Sequence, residues 1–268
     1  MKAVSICFMR FPLFFVLVFF TLSFTGKEND LGSHKHSGKN CFFKLGDKLL
    51  SIARHGDEKK ESYVLISLHS NETTAIDVAK TFIEKEGGLF LELLNYDQRL
   101  IEFKETGVKF IFDPNRIFTP AGRTANLKLN KSYNKIVERQ VQQFARFVLA
   151  EIPRNKTIIA VHNNTEGNYT INDYKKGNKL EKDAELIYQN PELDEDDFFL
   201  TTSLSLFKSL KSKNFNVVLQ HKSKAKDDGS LSIYCAGINR SYVNVETEHG
   251  HSDEQQKMLA VLKDIFEK

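Results

Sequence analysis

The chain has 268 residues, with 38 Lys and Arg against 35 Asp and Glu and a formal net charge of +3. A chain of this length accommodates one large α/β domain or two small ones. Lys2 and Arg10 lie in the first 25 residues, which contain no acidic residue, so the rest of the chain has a formal charge of +1. This balance gives no reason to expect a nucleic-acid partner or binding to a membrane surface.

The N-terminal segment, residues 1–25, has the pattern of a secretory signal peptide. Basic residues precede an almost entirely apolar stretch at 11–24, and small residues follow it. The stretch of about 14 residues is shorter than the ~18–20 that span a bilayer. We therefore predict cleavage and export to the periplasm or the extracellular space, without a stable membrane anchor. Residues 26–40 are polar and predict a flexible linker, which leaves 41–268 as the folded domain.

Beyond the linker, apolar periodicity and turn residues predict alternating strands and helices. Residues 41–53 predict a short strand followed by a helix, and 55–61 a surface turn. The predicted strands are 63–68, 89–94, 99–103, 108–112, 157–161, 216–220, 230–235 and 242–245. The predicted helices are 73–85, 131–152, 203–210 and 253–266. Residues 163–197 are polar and predict a long surface excursion that shapes a pocket mouth. This order predicts an α/β fold, a single domain with a twisted, mixed, mostly parallel sheet flanked by helices on both faces.

Two of the predicted buried strands run directly into a histidine. Strand 63–68 is followed by His69, with Glu72 three residues later, and strand 157–161 is followed by His162. Open α/β sheets bind their ligands at the carboxyl ends of the strands, and parallel neighbours bring these ends together. Two imidazoles and one carboxylate are a ligand set that zinc uses in hydrolases when a fourth position stays open. Either histidine alone is more typical of an ordinary strand end that hydrogen-bonds to the backbone.

Four short sequence blocks occur in an order that can be compared with known protein families. They are His69-Ser70-Asn71-Glu72, Asp113-Pro114-Asn115-Arg116-Ile117-Phe118, the His162 that follows a strand, and Glu246 late in the chain. In order and context, over most of residues 60–250, they resemble the zinc carboxypeptidase superfamily, and more closely its aspartoacylase and succinylglutamate desuccinylase branch. Ser70 replaces a glycine of the family pattern, and Ala160-Val161 replaces an Asp-x pair that often precedes the third ligand.

The resemblance implies a zinc carboxypeptidase-like fold and a role for each block. His69, Glu72 and His162 would bind Zn²⁺, and Glu246 would be the catalytic base that activates the zinc-bound water. Glu248 is an alternative base, because side chains two apart on a strand face the same side.

The resemblance also implies that Asn115 and Arg116 hold a substrate carboxylate, which suits the planar fork of Arg. Arg123 joins them in the predicted substrate-binding set. Arg99, Lys109 and Arg123 are alternatives for stabilising the oxyanion.

Several other residues have two open interpretations. His249 and His251 are either further metal or substrate contacts or a solvated cap before the last helix. Tyr169 and Arg240 are predicted to line the pocket wall. Cys41 and Cys235 either form a disulfide, which an exported protein permits, or remain separate buried thiols.

The sequence thus predicts a zinc-dependent hydrolase that cleaves an amide or peptide bond in a small-molecule or peptide substrate with a free carboxylate. Carboxypeptidase and acyl-amino-acid deacylase activities both fit this description. The alternative is an exported, non-catalytic ligand-binding protein on the same fold. A serine esterase is disfavoured because the chain contains no Gly-x-Ser-x-Gly motif.

Overall fold

The computed structural model describes residues 40–57 and 61–267. The predicted signal peptide and nearly all of the predicted linker lie outside these residues. The strands are β1 (Cys41–Leu45), β2 (Lys48–Gly56), β3 (Tyr63–Ser67), β4 (Leu89–Leu94), β5 (Ile101–Glu105), β6 (Val108–Phe112), β7 (Thr157–Asn164), β8 (Ala184–Tyr188), β9 (Phe198–Thr201), β10 (Val217–Gln220) and β11 (Tyr242–Glu248). The α-helices are α1 (Thr73–Glu86), α2 (Pro120–Leu129), α3 (Lys135–Glu151), α4 (Leu204–Ser212), α5 (Leu231–Gly237) and α6 (Ser252–Phe266). No helix in this part of the chain is long and apolar enough to cross a membrane.

One mixed sheet organises the fold, with the strand order β1-β2-β4-β3-β7-β11-β9-β10-β8. Its centre, β4-β3-β7-β11, is parallel, and β9 and β10 are also parallel to each other. The other pairings are antiparallel, so within the described residues four of the eight pairings are parallel. The predicted α/β fold with a mixed sheet is confirmed, but the parallel share is smaller than predicted because both ends of the sheet are antiparallel.

Helices cover both faces of the sheet, as predicted. Along β3, Val64 and Ile66 pack into one apolar cluster with α2, α3 and α5, whereas Tyr63 and Leu65 pack into a second cluster with α1, α4 and α6. Side chains of a strand alternate between faces, so a strand that is buried on both sides is apolar at every position. This explains the uninterrupted apolar run that marks β3 in the sequence.

The structure corrects the predictions at the N-terminal edge of the sheet. Residues 41–53 were expected to form a strand and a helix, but they form the antiparallel hairpin β1-β2. Strand β2 continues to Gly56, where the sequence predicts a surface turn, because it pairs with β4 along that length. Cys41 on β1 and Cys235 on α5 are both free thiols, so they do not form a disulfide, but only Cys235 is buried and Cys41 is half-buried.

Further corrections concern the second half of the chain. Residues 230–235 form helix α5 rather than a strand, and the Ser230 hydroxyl accepts a hydrogen bond from Ile233 N at its N-terminus. The predicted helix 131–152 begins only at Lys135, where Asn134 caps it by accepting from Ile136 N. Helix α2 and strand β9 were not predicted. The excursion at 163–197 contains two 3-10 turns, Ile171–Tyr174 and Glu181–Asp183, and the edge strand β8.

Candidate metal centre

The candidate metal centre lies at the carboxyl ends of three adjacent parallel strands, β3, β7 and β11. His69 follows β3, Glu72 directly precedes α1, and His162 lies near the end of β7. The pairing of β11 with β7 sets Glu246 opposite His162. The topology therefore brings together the side chains that the sequence predicts to converge.

Glu72 is the central group of this cluster. Its Oε1 lies 2.9 Å from His69 Nδ1, and its Oε2 lies 2.8 Å from His162 Nδ1. The side chains of all three residues are at most 5% exposed. Each carboxylate oxygen thus faces the Nδ1 atom of a different imidazole, which fixes the orientation of both rings.

Two further charged residues complete the surroundings of the cluster. The Nε2 atom of His69 lies 2.8 Å from Asp113 Oδ1. Arg99 donates from Nη1 to Glu72 Oε1 at 2.7 Å, and its Nη2 lies 3.7 Å from Asp113 Oδ2. Asp113 also accepts a hydrogen bond from the backbone of Asn115 at 2.8 Å, so the Asp-x-Asn-Arg block is connected directly to His69.

Burial and neighbouring charges act in opposite directions on the pKa values of the cluster. Burial alone would raise the pKa of Glu72 and of Asp113, but the adjacent imidazoles outweigh it and hold both pKa values below their usual range. Burial alone would lower the pKa of His69, but Glu72 and Asp113 outweigh it and raise this pKa to about 9. The two carboxylates are therefore neutralised by protonated imidazole and by Arg99.

The side chains present fit a zinc ion. One potential ligand atom from each of His69, Glu72 and His162 lies within 4.8 Å of the other two. Two nitrogens and one carboxylate oxygen are donor types that zinc accepts in three-ligand catalytic sites. Asp113 stands at the second ring nitrogen of His69, where metal-binding histidines usually have a carboxylate or carbonyl partner.

Glu246 lies beside the cluster without a direct hydrogen bond to it. The residue is 7% exposed, and its Oε1 accepts a hydrogen bond from Asn244 Nδ2 at 2.7 Å. Burial raises the pKa of Glu246 above its usual range, although His162 opposes this effect. A buried carboxylate with a raised pKa is a stronger base than an exposed one, which suits it to proton transfer.

A cavity of about 510 Å³ opens above the cluster and is lined by His69, Glu72, His162, Glu246 and Arg116, among others. The side chain of Arg116 is 37% exposed, and its Nη1 lies 3.4 Å from Asp228 Oδ2. Burial opposes the charge of Arg116, but Asp228 and Asp113 outweigh it and raise its pKa. Arg116 is therefore a fixed positive charge on the cavity wall.

Asn115 lines the same cavity, and a hydrogen bond from α5 holds its side chain in place. Its Oδ1 accepts a hydrogen bond from Leu231 N at 3.0 Å, at the first residue of α5. Its Nδ2 has no hydrogen-bond partner in the described part of the chain, so this donor remains available to a ligand.

Three predicted site residues lie elsewhere. Arg123 is 5% exposed within α2, donates to the Ile117 carbonyl at 3.1 Å and does not line the cavity. We therefore remove Arg123 from the predicted substrate-binding set. Lys109 pairs with Glu102 across the β5-β6 hairpin at 2.7 Å, and Arg240 lies at the opposite end of β11, beside Lys156 and Pro153. Of the three alternatives for the oxyanion, only Arg99 lines the cavity.

The structure separates the acidic and histidine residues around the end of β11. Glu246 lines the cavity, whereas Glu248 lies 3.5 Å from His251 Nε2, in a separate group with Asp194. His249 lies at the cavity rim, with its ring nitrogens near Thr74 Oγ1 and the Asn71 carbonyl. The predicted pocket-wall residue Tyr169 also lines the cavity.

Sequence reasoning missed the roles of Asp113 and Asp228. Asp113 belongs to the Asp-x-Asn-Arg block, and its position directly before two predicted site residues was a usable signal. Asp228 stands in a polar segment, Lys224 to Ser230, whose spacing gives no sign that it meets Arg116. Only the tertiary fold brings Asp228 and Arg116 together.

Comparisons with known proteins find similarity in structure alone. No protein-family model matches the chain, and no curated protein matches it. The murein-tripeptide amidase MpaA from Escherichia coli O157 has 12% identity and a TM-score of 0.43, over 87% of this chain and 91% of the other. A succinylglutamate desuccinylase/aspartoacylase from Rhodobacter sphaeroides has 10% identity and a TM-score of 0.44, over 89% and 68%. Thrombin activatable fibrinolysis inhibitor has 14% identity and a TM-score of 0.44, over 85% and 68%. Similarity at this level assigns neither a family nor an activity to this chain.

Proposed function

We propose that the protein is a zinc-dependent hydrolase that cleaves an amide or peptide bond in a substrate with a free carboxylate. The observation that carries this proposal is the convergence of His69, Glu72 and His162 at the floor of a cavity that also contains Glu246 and Arg116. An isolated group of metal ligands would support metal binding alone. The buried carboxylate and the cationic wall in the same cavity support a reaction.

The chemistry divides among these groups. A zinc ion held by His69, Glu72 and His162 would act as a Lewis acid that polarises the scissile carbonyl and makes a water molecule more acidic. Glu246 takes a proton from the attacking water and delivers it to the leaving nitrogen, so the amine departs in neutral form. Asn244 donates to one oxygen of Glu246 and thereby fixes the orientation of the carboxylate.

Arg116 and Asn115 orient the substrate in this proposal. The Arg116 fork and the available Nδ2 of Asn115 bind the substrate carboxylate, which displaces Asp228 from its contact with Arg116. Arg99 is the cation nearest to the cluster, and its side chain is 45% exposed. In this proposal Arg99 stabilises negative charge on the carbonyl oxygen.

Metal analysis tests the first step of the proposal. The purified protein should contain about one zinc per chain, since three buried ligands are provided. His69→Ala should lose the metal because it removes one of the three ligands. His249→Ala is a matched control at the cavity rim and should retain the metal. A wild-type protein that binds no zinc, or a His69→Ala variant that binds as much as His249→Ala, would refute the proposed centre.

A further inference from the structure

A second concave surface lies at the opposite end of the central strands. It is a cavity of about 870 Å³ beside the first residue of β7, Thr157, and it adjoins a smaller cavity of about 240 Å³. The two share Asn239, Arg240 and Ser241 and so form one continuous groove. His162 and Glu246 lie at the other ends of β7 and β11, so this groove is separate from the candidate metal centre.

The charges that line this groove are of one sign. Five basic residues, Arg146, Arg154, Lys156, Lys222 and Arg240, line the two cavities, and among the described residues no Asp or Glu does. We call this surface the basic groove. The whole sequence has nearly equal numbers of acidic and basic residues, so such a segregation is unusual for this chain. Concave surfaces lined by one sign of charge concentrate the opposite ion.

Four of these five cations have no acidic partner in the part of the chain that the structure describes. Arg146, Arg154, Lys222 and Arg240 make no ion pair among the described residues. Lys222 donates to the side-chain oxygen of Asn239, and Arg240 donates to the carbonyls of Pro153 and Lys156, which are uncharged acceptors. Repulsion among neighbouring cations disfavours the folded chain, and a bound anion would relieve it.

The donors also indicate which anion fits. Three of the five cations are arginines, whose planar forks match the oxygens of phosphate. Thr157, Ser241, Asn155 and Asn239 add neutral donors to the lining. A single carboxylate would engage one of these guanidinium groups, whereas several phosphate groups would engage cations across both cavities.

We propose that the basic groove binds a molecule with two or more phosphate groups, either free in solution or as headgroups on a lipid surface. This binding is additional to the proposed hydrolase activity and does not depend on it.

Calorimetric titration of the purified full chain with inorganic tripolyphosphate tests the proposal. The wild type should bind saturably at low salt, and the affinity should fall as salt rises because the contacts are ionic. The double variant Arg146→Gln/Arg154→Gln should lose at least tenfold in affinity, since two charge-assisted contacts are removed. Arg139→Gln is the matched control, because Arg139 is exposed on the same helix but does not line the groove. Arg116→Ala should bind like the wild type, which excludes the metal cavity as the binding site.

Sedimentation with phosphatidylglycerol vesicles distinguishes the two sources of phosphate. Vesicle binding that the double variant loses would assign the groove to lipid headgroups, and binding of tripolyphosphate alone would assign it to a soluble ligand. Either result supports phosphate recognition. The proposal is overturned if the wild type binds neither probe at low salt, or if the double variant binds as tightly as Arg139→Gln.

Discussion

At the scale of single residues, Glu72 connects the side chains of the candidate metal centre. Each of its oxygens lies within 2.9 Å of a histidine Nδ1, and Arg99 contacts the same carboxylate. Burying an ion is costly unless it is paired, so this cluster is stable only because every charge in it has a partner. The sequence predicts the three ligands because two of them directly follow predicted buried strands, 63–68 and 157–161. It does not predict Asp113 or Arg99 as their partners, because neither residue type is restricted to such a position.

Ser70 shows how a departure from a family pattern acquires a local function. Its hydroxyl accepts hydrogen bonds from the backbone N–H groups of Asn95 and Asp97, both at 3.2 Å. Tyr96 and Asp97 have φ values of 51° and 56°, an uncommon conformation for residues other than glycine. The serine therefore holds the turn after β4 against the loop that contains His69 and Glu72.

Asp113 provides the first prediction at this scale. Replacing Asp113 with Asn keeps an oxygen acceptor but removes the charge that holds the His69 ring. Loss of such a partner typically weakens metal binding by about 10–100-fold. Competition with a chromophoric chelator should measure this loss in Asp113→Asn. Asp77→Asn, on the exposed side of α1, is the control. Equal zinc affinities in the two variants would show that Asp113 does not support the ligand.

Arg116 provides the second prediction. Arg116→Ala removes the proposed bidentate contact with the substrate carboxylate, and Arg116→Lys keeps the charge but loses the fork. Both variants should raise KM by about tenfold or more, with a smaller change in kcat, if the contact is equally strong in the ground and transition states. Steady-state kinetics on an acyl-amino acid would measure both constants. Unchanged kinetics in both variants would remove Arg116 from the site.

At the scale of elements, the register of β11 against β7 distinguishes Glu246 from Glu248. Glu246 pairs with His162 and lines the cavity, whereas Glu248, which pairs with Asn164, does not line it. Alternation along a strand makes both side chains equally suitable in the sequence. The choice between Glu246 and Glu248 depends on which of them lines the cavity, and the sequence pattern of the strand does not show where the cavity ends.

Helix α5 illustrates a different limit of sequence reasoning. The segment at 230–235 is short and apolar, and a run of that length fits a strand and a helix equally well. In the folded chain Ser230 caps the helix, and Asn115 accepts a hydrogen bond from Leu231 N. A contact between residues 116 positions apart therefore favours the helix, and local propensity cannot reveal it.

The close approach of α2 to the loop before α5 gives the third prediction. A Cβ atom on Gly122 would lie 2.0 Å from Gly229 N, whereas nothing lies within 4 Å of a Cβ on Gly237. Gly122→Ala should therefore lower the free energy of unfolding by about 1–3 kcal/mol or more through overpacking. Gly237→Ala should leave it unchanged or raise it by up to about 1 kcal/mol. Denaturant unfolding measures both. A Gly122→Ala variant as stable as Gly237→Ala would mean that the two segments are not in contact.

At the scale of the whole molecule, the sequence predicts the central strands best. Strands β3, β7 and β11 are buried on both faces by helices, so their composition reflects the fold directly. The edges are predicted less well, because β1, β2 and β8 carry polar residues that also suit turns and helices. The candidate metal ligands lie near the carboxyl ends of the central strands β3 and β7, whereas Asp228 and the basic groove belong mainly to loops and helix ends. This difference explains why the candidate metal centre can be proposed from the sequence, whereas the groove cannot.

The central claim is hydrolysis that requires both the metal and Glu246. The most direct test measures release of free amine from a panel of acyl-amino acids and peptides by metal-free protein, zinc-loaded protein and zinc-loaded Glu246→Gln. Glutamine keeps the shape of the side chain but cannot accept a proton. Glu248→Gln is the matched control on the same strand.

We predict that zinc loading creates the activity and that Glu246→Gln lowers kcat by about 10²–10⁴-fold while zinc content is unchanged. Glu248→Gln should have a smaller effect. Turnover that persists without metal, or that is equal in Glu246→Gln and the wild type, would contradict the mechanism. A zinc-loaded wild type that binds carboxylate ligands but cleaves no member of the panel would contradict the hydrolase itself and favour a non-catalytic binding protein.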